Sequence, residues 1–192
     1  MPIVGSFAGA SARAYGAGAG GVLIGDFESI ATITAGSAVP NIEFTSIPST
    51  YTHLQIRGIA RGTRADTSAN TQMRFNSDTG TNYASHYLGG AGYVGFSGNE
   101  TSSTYIYTGS LISANSTTGC FEGSVIDILD YANTNKFKTV RTLSGWDANG
   151  SGQAILWSGH WRSTSAITSI TLLPNVNNFA QYSSFALYGV KA

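Results

Sequence analysis

Apolar and polar residues alternate along most of the chain after its first two dozen positions. In residues 53–57, HLQIR, the two aliphatic side chains are separated by polar ones, which is the period-2 pattern of a half-buried β-strand. The same alternation recurs at residues 170–172 and 185–188. Further segments rich in β-branched and aromatic residues predict strands at 29–34, 41–45, 71–75, 104–111, 121–129, 136–143 and 153–162.

Turn-forming residues separate these segments. Clusters of Gly, Pro, Asn, Asp and Ser occupy residues 47–49, 76–80, 133–135, 149–152 and 174–175. No segment has a convincing helical period. About ten short strands at regular spacing predict an all-β fold, an antiparallel β-sandwich of jelly-roll type. We find no internal repeat and no linker after residue 21, so residues 22–192 are predicted to form one sandwich domain.

Residues 1–21 have a different composition from the rest of the chain. The segment MPIVGSFAGASARAYGAGAGG is almost entirely Gly, Ala and Ser, and it cannot build a core of its own. Its larger side chains are Ile3, Val4, Phe7, Arg13 and Tyr15. The segment either packs against its own domain or docks onto another subunit, with Phe7 and Tyr15 as the inserted side chains. We favour the second interpretation and predict an extended, glycine-rich anchoring arm at residues 1–21.

Composition narrows the range of partners. Only 10% of the 192 residues are charged, and the formal net charge is zero. A neutral chain gains little from counterion release, so nucleic-acid binding is not expected. No apolar stretch approaches the roughly 20 residues that cross a bilayer, so no membrane insertion is expected. Cys120 is the single cysteine and excludes an intrachain disulfide.

The sequence contains no convincing catalytic constellation. Its three histidines are scattered, and its ten acidic residues show no paired arrangement. Residues 147–151, DANGS, resemble the opening of a calcium loop, but no distal glutamate follows, and turn formation explains them better. We therefore predict no catalytic residues, no cofactor and no metal site. A glycan depolymerase remains a remote alternative, since it needs two acids brought together in a groove.

Aromatic residues provide the best candidates for contact with a ligand or partner. They make up 11% of the chain, and many lie near predicted turns flanked by Asn, Asp and Ser. Such side chains stack on sugar rings or fill protein interfaces. Trp146, beside a predicted turn, is the strongest single candidate, and core packing is the default for Trp157. The predicted ligand or interface residues are Trp146, Tyr87, Asp147 and Asn149.

Several runs of the sequence resemble a group of bacteriophage structural proteins. The resemblance covers nearly all of residues 27–191 and is specific in the order of its phrases. The runs are IEFTSIPSTYTHLQIRGIAR (42–61), MRFNSDTGTNYASHYL (73–88), VIDILDYANTNKFKTVRTLSG (125–145), WRSTSAITSITLLP (161–174) and SSFALYGVK (183–191). The group contributes no catalytic motif that could be transferred to this chain.

The resemblance implies a place on a virion. We expect a non-enzymatic structural protein on the particle surface, either a capsid decoration protein or head fibre, or a tail or tail-fibre component. Its partners would be other phage structural proteins, contacted through the arm. The resemblance also implies a homo-oligomer, for which a trimer is the expected form. The alternative is a receptor-binding module of a phage fibre that recognises a host glycan.

Overall fold

The computed structural model describes residues 26–191, and this part of the chain contains twelve β-strands. In chain order they are β1 (Phe27–Thr34), β2 (Ile42–Phe44), β3 (His53–Ala60), β4 (Ser68–Phe75), β5 (Tyr83–Ala91), β6 (Val94–Ser103), β7 (Ile106–Ile112), β8 (Glu122–Leu129), β9 (Lys138–Asp147), β10 (Gly152–Trp161), β11 (Ile170–Pro174) and β12 (Ser184–Val190). The predicted anchoring arm, residues 1–21, lies outside the described residues.

The strands form two antiparallel sheets that pack face to face. The large sheet has eight strands in the order β1-β12-β3-β8-β9-β10-β5-β6, and the small sheet has four in the order β2-β11-β4-β7. Every pairing between neighbouring strands is antiparallel. The predicted antiparallel β-sandwich is therefore confirmed.

The apolar core lies between the small sheet and the facing strands of the large sheet. Alternate residues of β3 and β8 point inward, so Leu54, Ile56, Ile126 and Ile128 are all buried. From the small sheet, β4 and β11 contribute further buried apolar residues, among them Phe75. This alternation is the reason why the period-2 pattern in the sequence predicted these strands correctly.

An aromatic group closes one end of the core. The ring of Trp161 lies 5.6 Å from Phe75 and 6.3 Å from Tyr83, measured between centroids. Both polar tips have partners: the Trp161 indole N–H donates to Asp78 Oδ2 at 2.7 Å, and the Tyr83 hydroxyl accepts the Phe75 amide N–H at 3.1 Å. Burial raises the pKa of Tyr83 to about 12. Both side chains therefore add burial without leaving a polar group unpaired.

Two strands, β5 and β6, were not among the predicted segments. They form a hairpin at one edge of the large sheet, and β5 also pairs with β10 along its whole length. Their sequences contain YLGGAG and GFSGNETSS, in which glycines and small polar residues weaken the alternation. Pairing with β10 supplies the order that local propensity does not. The other ten strands fall on predicted segments.

Candidate functional site

The two sheets differ in width, and this difference opens a cleft at one side of the sandwich. The small sheet ends at β7, whereas the large sheet continues past β10 through β5 and β6. Inward-facing residues of β5, β6 and β10 therefore lie beyond the edge of the small sheet. The space between them and β7, here called the inter-sheet cleft, has a volume of about 290 Å³.

Four aromatic side chains line the inter-sheet cleft, and together they are called the aromatic wall. Trp157 lies at its centre, with centroid distances of 4.7 Å to Tyr87 and 5.4 Å to Tyr107. Phe96 extends the wall, 6.2 Å from Tyr87. The strand register explains this arrangement, because Trp157 on β10 is directly opposite Tyr87 on β5.

Glycine 98 makes room for the aromatic wall. It lies on β6 directly opposite Tyr87. A Cβ atom at Gly98 would lie only 2.4 Å from the Tyr87 hydroxyl oxygen, so a larger residue would force the tyrosine ring to move. The tyrosine can lie across β6 because this position has no side chain.

Polar side chains surround the aromatic wall and form the polar lip of the cleft. Asn70 and Ser68 come from β4 in the small sheet, Glu100 comes from β6, and Gln153 comes from β10. Gln153 donates a hydrogen bond to the hydroxyl of Ser110, which also lines the cleft. Among the described residues that line the cleft, Glu100 is the only carboxylate, and none is Lys, Arg or His.

Two polar groups of the aromatic wall, the Tyr107 hydroxyl and the Trp157 indole N–H, differ in their hydrogen bonding. Burial, reinforced by the Tyr105 hydroxyl 3.1 Å away, raises the pKa of Tyr107 to about 12, so its hydroxyl keeps its proton at neutral pH. Trp157 is only 4% exposed, and its indole N–H has no hydrogen-bond partner among residues 26–191. A buried donor without a partner costs roughly 1–3 kcal/mol.

A buried carboxyl group lies in the same part of the interior. Glu122 on β8 is almost completely buried, and its Oε1 atom has no hydrogen-bond partner within the described chain. It fits against β7 at Gly109, where a Cβ atom would lie 2.1 Å from Oε1. Burial raises the pKa of Glu122 to about 8, and the nearby Thr71 hydroxyl opposes part of the rise. The carboxyl is therefore mostly protonated at neutral pH.

The structure separates the four predicted ligand or interface residues into three settings. Tyr87 lines the inter-sheet cleft. Trp146 does not line it: its indole N–H donates to Ser110 Oγ at 3.4 Å, and its side chain borders a separate depression beside Asp147. Asp147 and Asn149 shape the turn between β9 and β10, where Asp147 Oδ1 accepts the Asn149 amide N–H at 2.7 Å. The Asp147 carboxylate and the Asn149 backbone N–H thus have the turn-forming role that the sequence favoured over a calcium loop.

The other predicted residues, Ile3, Val4, Phe7, Arg13 and Tyr15, lie outside the described residues. Within residues 26–191, no group of three or more His, Cys, Asp or Glu side chains is arranged to hold a metal ion. No helix in that range is long and apolar enough to span a membrane.

The outer face of the large sheet, which points away from the small sheet, is the second unusual feature. Four apolar side chains stand directly opposite one another on adjacent strands, forming what is here called the apolar row: Val125 on β8, Leu143 on β9, Leu156 on β10 and Leu88 on β5. All four are exposed, and Leu143 and Leu88 each expose about three fifths of their surface. The apolar row therefore crosses half the width of the sheet in contact with solvent.

A row of small residues runs beside the apolar row. It consists of Gly123, Gly145, Ala154 and Gly90, which lie two residues further along the same four strands and are here called the glycine row. Together with Arg57, Val125 and Leu143, the first three of these border an open depression of about 510 Å³. This glycine row leaves a groove alongside a ridge of larger apolar side chains.

Polar side chains border the apolar row on its other side. Gln55, Asp127, Arg141, Ser158 and His86 lie opposite one another across five strands. The Gln55 side-chain amide donates to Asp127 Oδ1 at 2.8 Å. The outer face is therefore built of parallel bands, one of small residues, one apolar and one polar.

Sequence reasoning missed most of the residues of the inter-sheet cleft. Glu100 and Phe96 lie on β6, which was not predicted, and Trp157 was assigned to the core by default. The signal that could have found the cleft is the cross-strand pairing of Trp157 with Tyr87. It becomes visible only when β5 is recognised as a strand and placed beside β10.

Comparison with known proteins gives little further information. No family model matches the chain. No curated protein sequence matches it either. Among solved structures, galectin LEC-6 from Caenorhabditis elegans is similar at a TM-score of 0.33 and 7% sequence identity, over 90% of this chain and 100% of the galectin chain. A likeness of this size does not indicate a shared ligand.

Proposed function

We propose that the chain is a non-enzymatic structural protein on the surface of a bacteriophage particle. In this proposal the sandwich assembles with neighbouring copies through the outer face of its large sheet. Residues 1–21 fasten it to a capsid or tail component. The particle location is supported by the resemblance of residues 27–191 to phage structural proteins, and the assembly role is supported by the geometry of the outer face.

The apolar row is the observation that carries the assembly role. An antiparallel sheet with one face on the core normally alternates apolar residues inward with polar residues outward. Here Val125, Leu143, Leu156 and Leu88 point outward and form one contiguous exposed set. Contiguous exposed apolar patches are typical of interaction surfaces, whereas scattered single apolar residues are not.

A second copy of the same chain is the partner that fits this face best. The ridge formed by the apolar row and the groove formed by the glycine row lie side by side, so the ridge of one copy can enter the groove of another. Eight strands about 4.8 Å apart and roughly 20 Å of strand length give a face of roughly 700 Å². An interface of the roughly 800 Å² per partner found in stable complexes would therefore use the whole face, of which the apolar row crosses half the width.

The assembly role can be tested by measuring the mass of the full chain in solution. We expect sedimentation velocity to give an oligomer. The double substitution Leu143→Ser and Leu156→Ser should shift it to the monomer, because it replaces the centre of the apolar row by polar groups. The matched control is Val176→Ser, which removes a similarly exposed apolar side chain outside the large sheet. A wild-type monomer, or an oligomer unaffected by the double substitution, would contradict the proposal.

The particle location needs a separate experiment. Virions would be assembled with the full chain or with a chain lacking residues 1–21, and the copies per particle would be counted by quantitative mass spectrometry. The proposal predicts incorporation of the full chain and loss of incorporation after deletion. Tens or hundreds of copies would favour a decoration role over a tail role. Undiminished incorporation of the shortened chain would remove the anchoring role.

Recognition of host glycans is the second candidate function, and the inter-sheet cleft favours it. The cleft combines exposed edges of Tyr87, Phe96 and Tyr107 with hydrogen-bonding side chains from both sheets. Aromatic surface framed by a few polar groups is the usual composition of a small-ligand site. This function is compatible with a place on a fibre or decoration protein.

A further inference from the structure

We propose that the inter-sheet cleft binds a single neutral pyranose residue of a glycan and discriminates against acidic sugars. This inference deepens the glycan-recognition candidate above and does not depend on the location of the chain in a particle. It follows from the shape of the cleft, its aromatic wall, its polar lip and its charge.

The size of the cleft sets the size of the ligand. Its volume of about 290 Å³ lies just below the roughly 300–1,000 Å³ that is typical of ligand pockets. The space is bounded by the large sheet on one side and by β4 and β7 on the other. A single sugar ring matches this space better than an extended oligosaccharide or a peptide segment.

The aromatic wall supplies the apolar half of the recognition. One face of a pyranose ring presents C–H groups, which pack on aromatic rings as other apolar surfaces do. Tyr87 and Tyr107 flank Trp157 and remain partly exposed, whereas Trp157 is buried between them. The two tyrosine rings are therefore the surfaces on which a sugar would stack.

The polar lip supplies the hydrogen bonds. The side chains of Asn70 and Glu100 stand on opposite sheets at the cleft, so hydroxyl groups at two edges of one ring can be bound. A carboxylate accepts hydrogen bonds from sugar hydroxyls, and an amide side chain both donates and accepts.

The charge of the cleft gives the selectivity. Glu100 is the only carboxylate among the described lining residues, and no cationic side chain lines the cleft to offset it. A uronic or sialic acid would bring a second carboxylate close to Glu100 without a balancing cation. Like charges at short distance in a partly desolvated site repel each other, so acidic sugars should bind more weakly.

The experiment is calorimetric titration of the full chain at pH 7 with methyl glycosides of neutral hexoses and N-acetylhexosamines, and with the corresponding uronic acids. We expect weak binding of at least one neutral glycoside and at least tenfold weaker binding of its uronic acid. Absence of binding to every neutral glycoside would overturn the inference. So would preferential binding of the acidic sugars.

A matched pair of substitutions locates the site. Tyr87→Leu removes a stacking surface from the cleft, whereas Tyr93→Leu changes a fully exposed tyrosine in the turn of the same β5–β6 hairpin. Loss of one aromatic contact should weaken sugar binding about 3- to 10-fold for Tyr87→Leu. Tyr93→Leu should leave it unchanged. Equal effects of the two substitutions, or none from Tyr87→Leu, would place binding elsewhere and overturn the assignment.

The substitution Glu100→Gln tests the selectivity separately. It keeps the shape of the side chain and one acceptor oxygen but removes the charge. The preference for neutral sugars over uronic acids should largely disappear, while the fold stays intact because Glu100 is exposed. An unchanged preference would contradict the role given to Glu100. Binding failure would not affect the assembly proposal, which is measured by oligomer mass and particle incorporation.

Discussion

The two faces of the large sheet differ less in polarity than the faces of a half-buried sheet normally do. The inner face carries Ile126 of β8, which is completely buried under the small sheet. The outer face carries Val125 of the same strand, which begins the exposed apolar row. A run such as VIDIL therefore has apolar residues of both parities, one set used by the fold and the other left open.

The residues that stabilise the folded chain and those proposed to bind a second copy therefore lie on opposite faces of the large sheet. Burial of the inner face stabilises the monomer, since each buried aliphatic side chain contributes roughly 1.5–3 kcal/mol. The outer face contributes little to the monomer, and we propose that its apolar residues contact another chain. Substitutions on the inner face should consequently change the free energy of unfolding, and substitutions on the outer face should change the mass of the oligomer.

The largest expected effect comes from a pair of neighbouring residues on β8. Ile126→Ala removes a fully buried side chain and should lower the free energy of unfolding by about 2–5 kcal/mol. Val125→Ala, on the exposed face, should lower the unfolding free energy of the monomer by about 1 kcal/mol or less. Urea unfolding of dilute, monomeric samples measures both values. Equal losses would mean that the outer face belongs to the core.

The buried carboxyl of the inner face should make stability depend on pH. The pKa of Glu122 is raised from about 4.5 to about 8 in the folded state, so the folded chain holds this proton more tightly than the unfolded chain. Stability should therefore fall as pH rises from about 4.5 to about 8, and it should not fall further above that. Between pH 4.5 and pH 7 the wild type should lose about 3 kcal/mol of unfolding free energy that Glu122→Gln keeps, because the glutamine has no proton to lose.

Thermal or urea unfolding across this pH range measures the effect. The matched control is Glu43→Gln, in which the carboxyl lies on an exposed position of β2. Its curve should run parallel to the wild-type curve, whereas the Glu122→Gln curve should be flatter. A Glu122→Gln curve that runs parallel to the wild-type curve between pH 5 and 8 would contradict the raised pKa of Glu122.

Two tryptophans of β10 allow the core to be compared with the cleft, because both lie on the inner face of the large sheet. Trp161 and Trp157 are both at least 96% buried, so a Trp→Phe substitution removes similar volume from each. The indole N–H of Trp161 donates to Asp78 Oδ2, whereas that of Trp157 has no partner within residues 26–191. Trp161→Phe should therefore be more destabilising by about 1.5 kcal/mol, since the lost bond is to a carboxylate. A larger loss for Trp157→Phe would indicate that its N–H is partnered.

The smallest expected change in stability is at Gly123, on the glycine row. A Cβ atom there would meet nothing within 4 Å. Gly123→Val should therefore keep or raise the stability of the monomer, by up to about 1 kcal/mol, because valine suits a strand better than glycine. The same side chain would fill the proposed groove and weaken association. A variant that is more stable and associates normally would argue against the groove as part of the interface.

The comparison also shows how far the sequence could predict this molecule. Alternation at residues 53–57 and at other segments predicted ten of the strands and the sandwich, because burial of alternate side chains is a local pattern. The β5–β6 hairpin escaped prediction because its glycine-rich strands are ordered by pairing with β10, which is not a local property. The inter-sheet cleft escaped with it, since two of its aromatic residues, Tyr87 and Phe96, stand on that hairpin.

The roles of individual residues were also predictable where they depend on neighbours in sequence and not where they depend on distant strands. Asp147 and Asn149 were correctly favoured as turn residues, because turn chemistry depends on neighbours in sequence. Trp146 was the strongest candidate for ligand contact, yet its N–H is committed to Ser110, on a strand 36 positions away. No sequence pattern indicates that bond. The apolar row could not be predicted either, because its four residues lie on four different strands and become neighbours only when those strands pair.

A density map of the assembled particle tests the central proposal most directly. We predict that a neighbouring copy of the chain lies against Leu143 and Leu156, and that residues 1–21 run along a capsid or tail subunit. A particle in which the outer face of the large sheet is open to solvent, or one that does not contain the chain, would contradict the account.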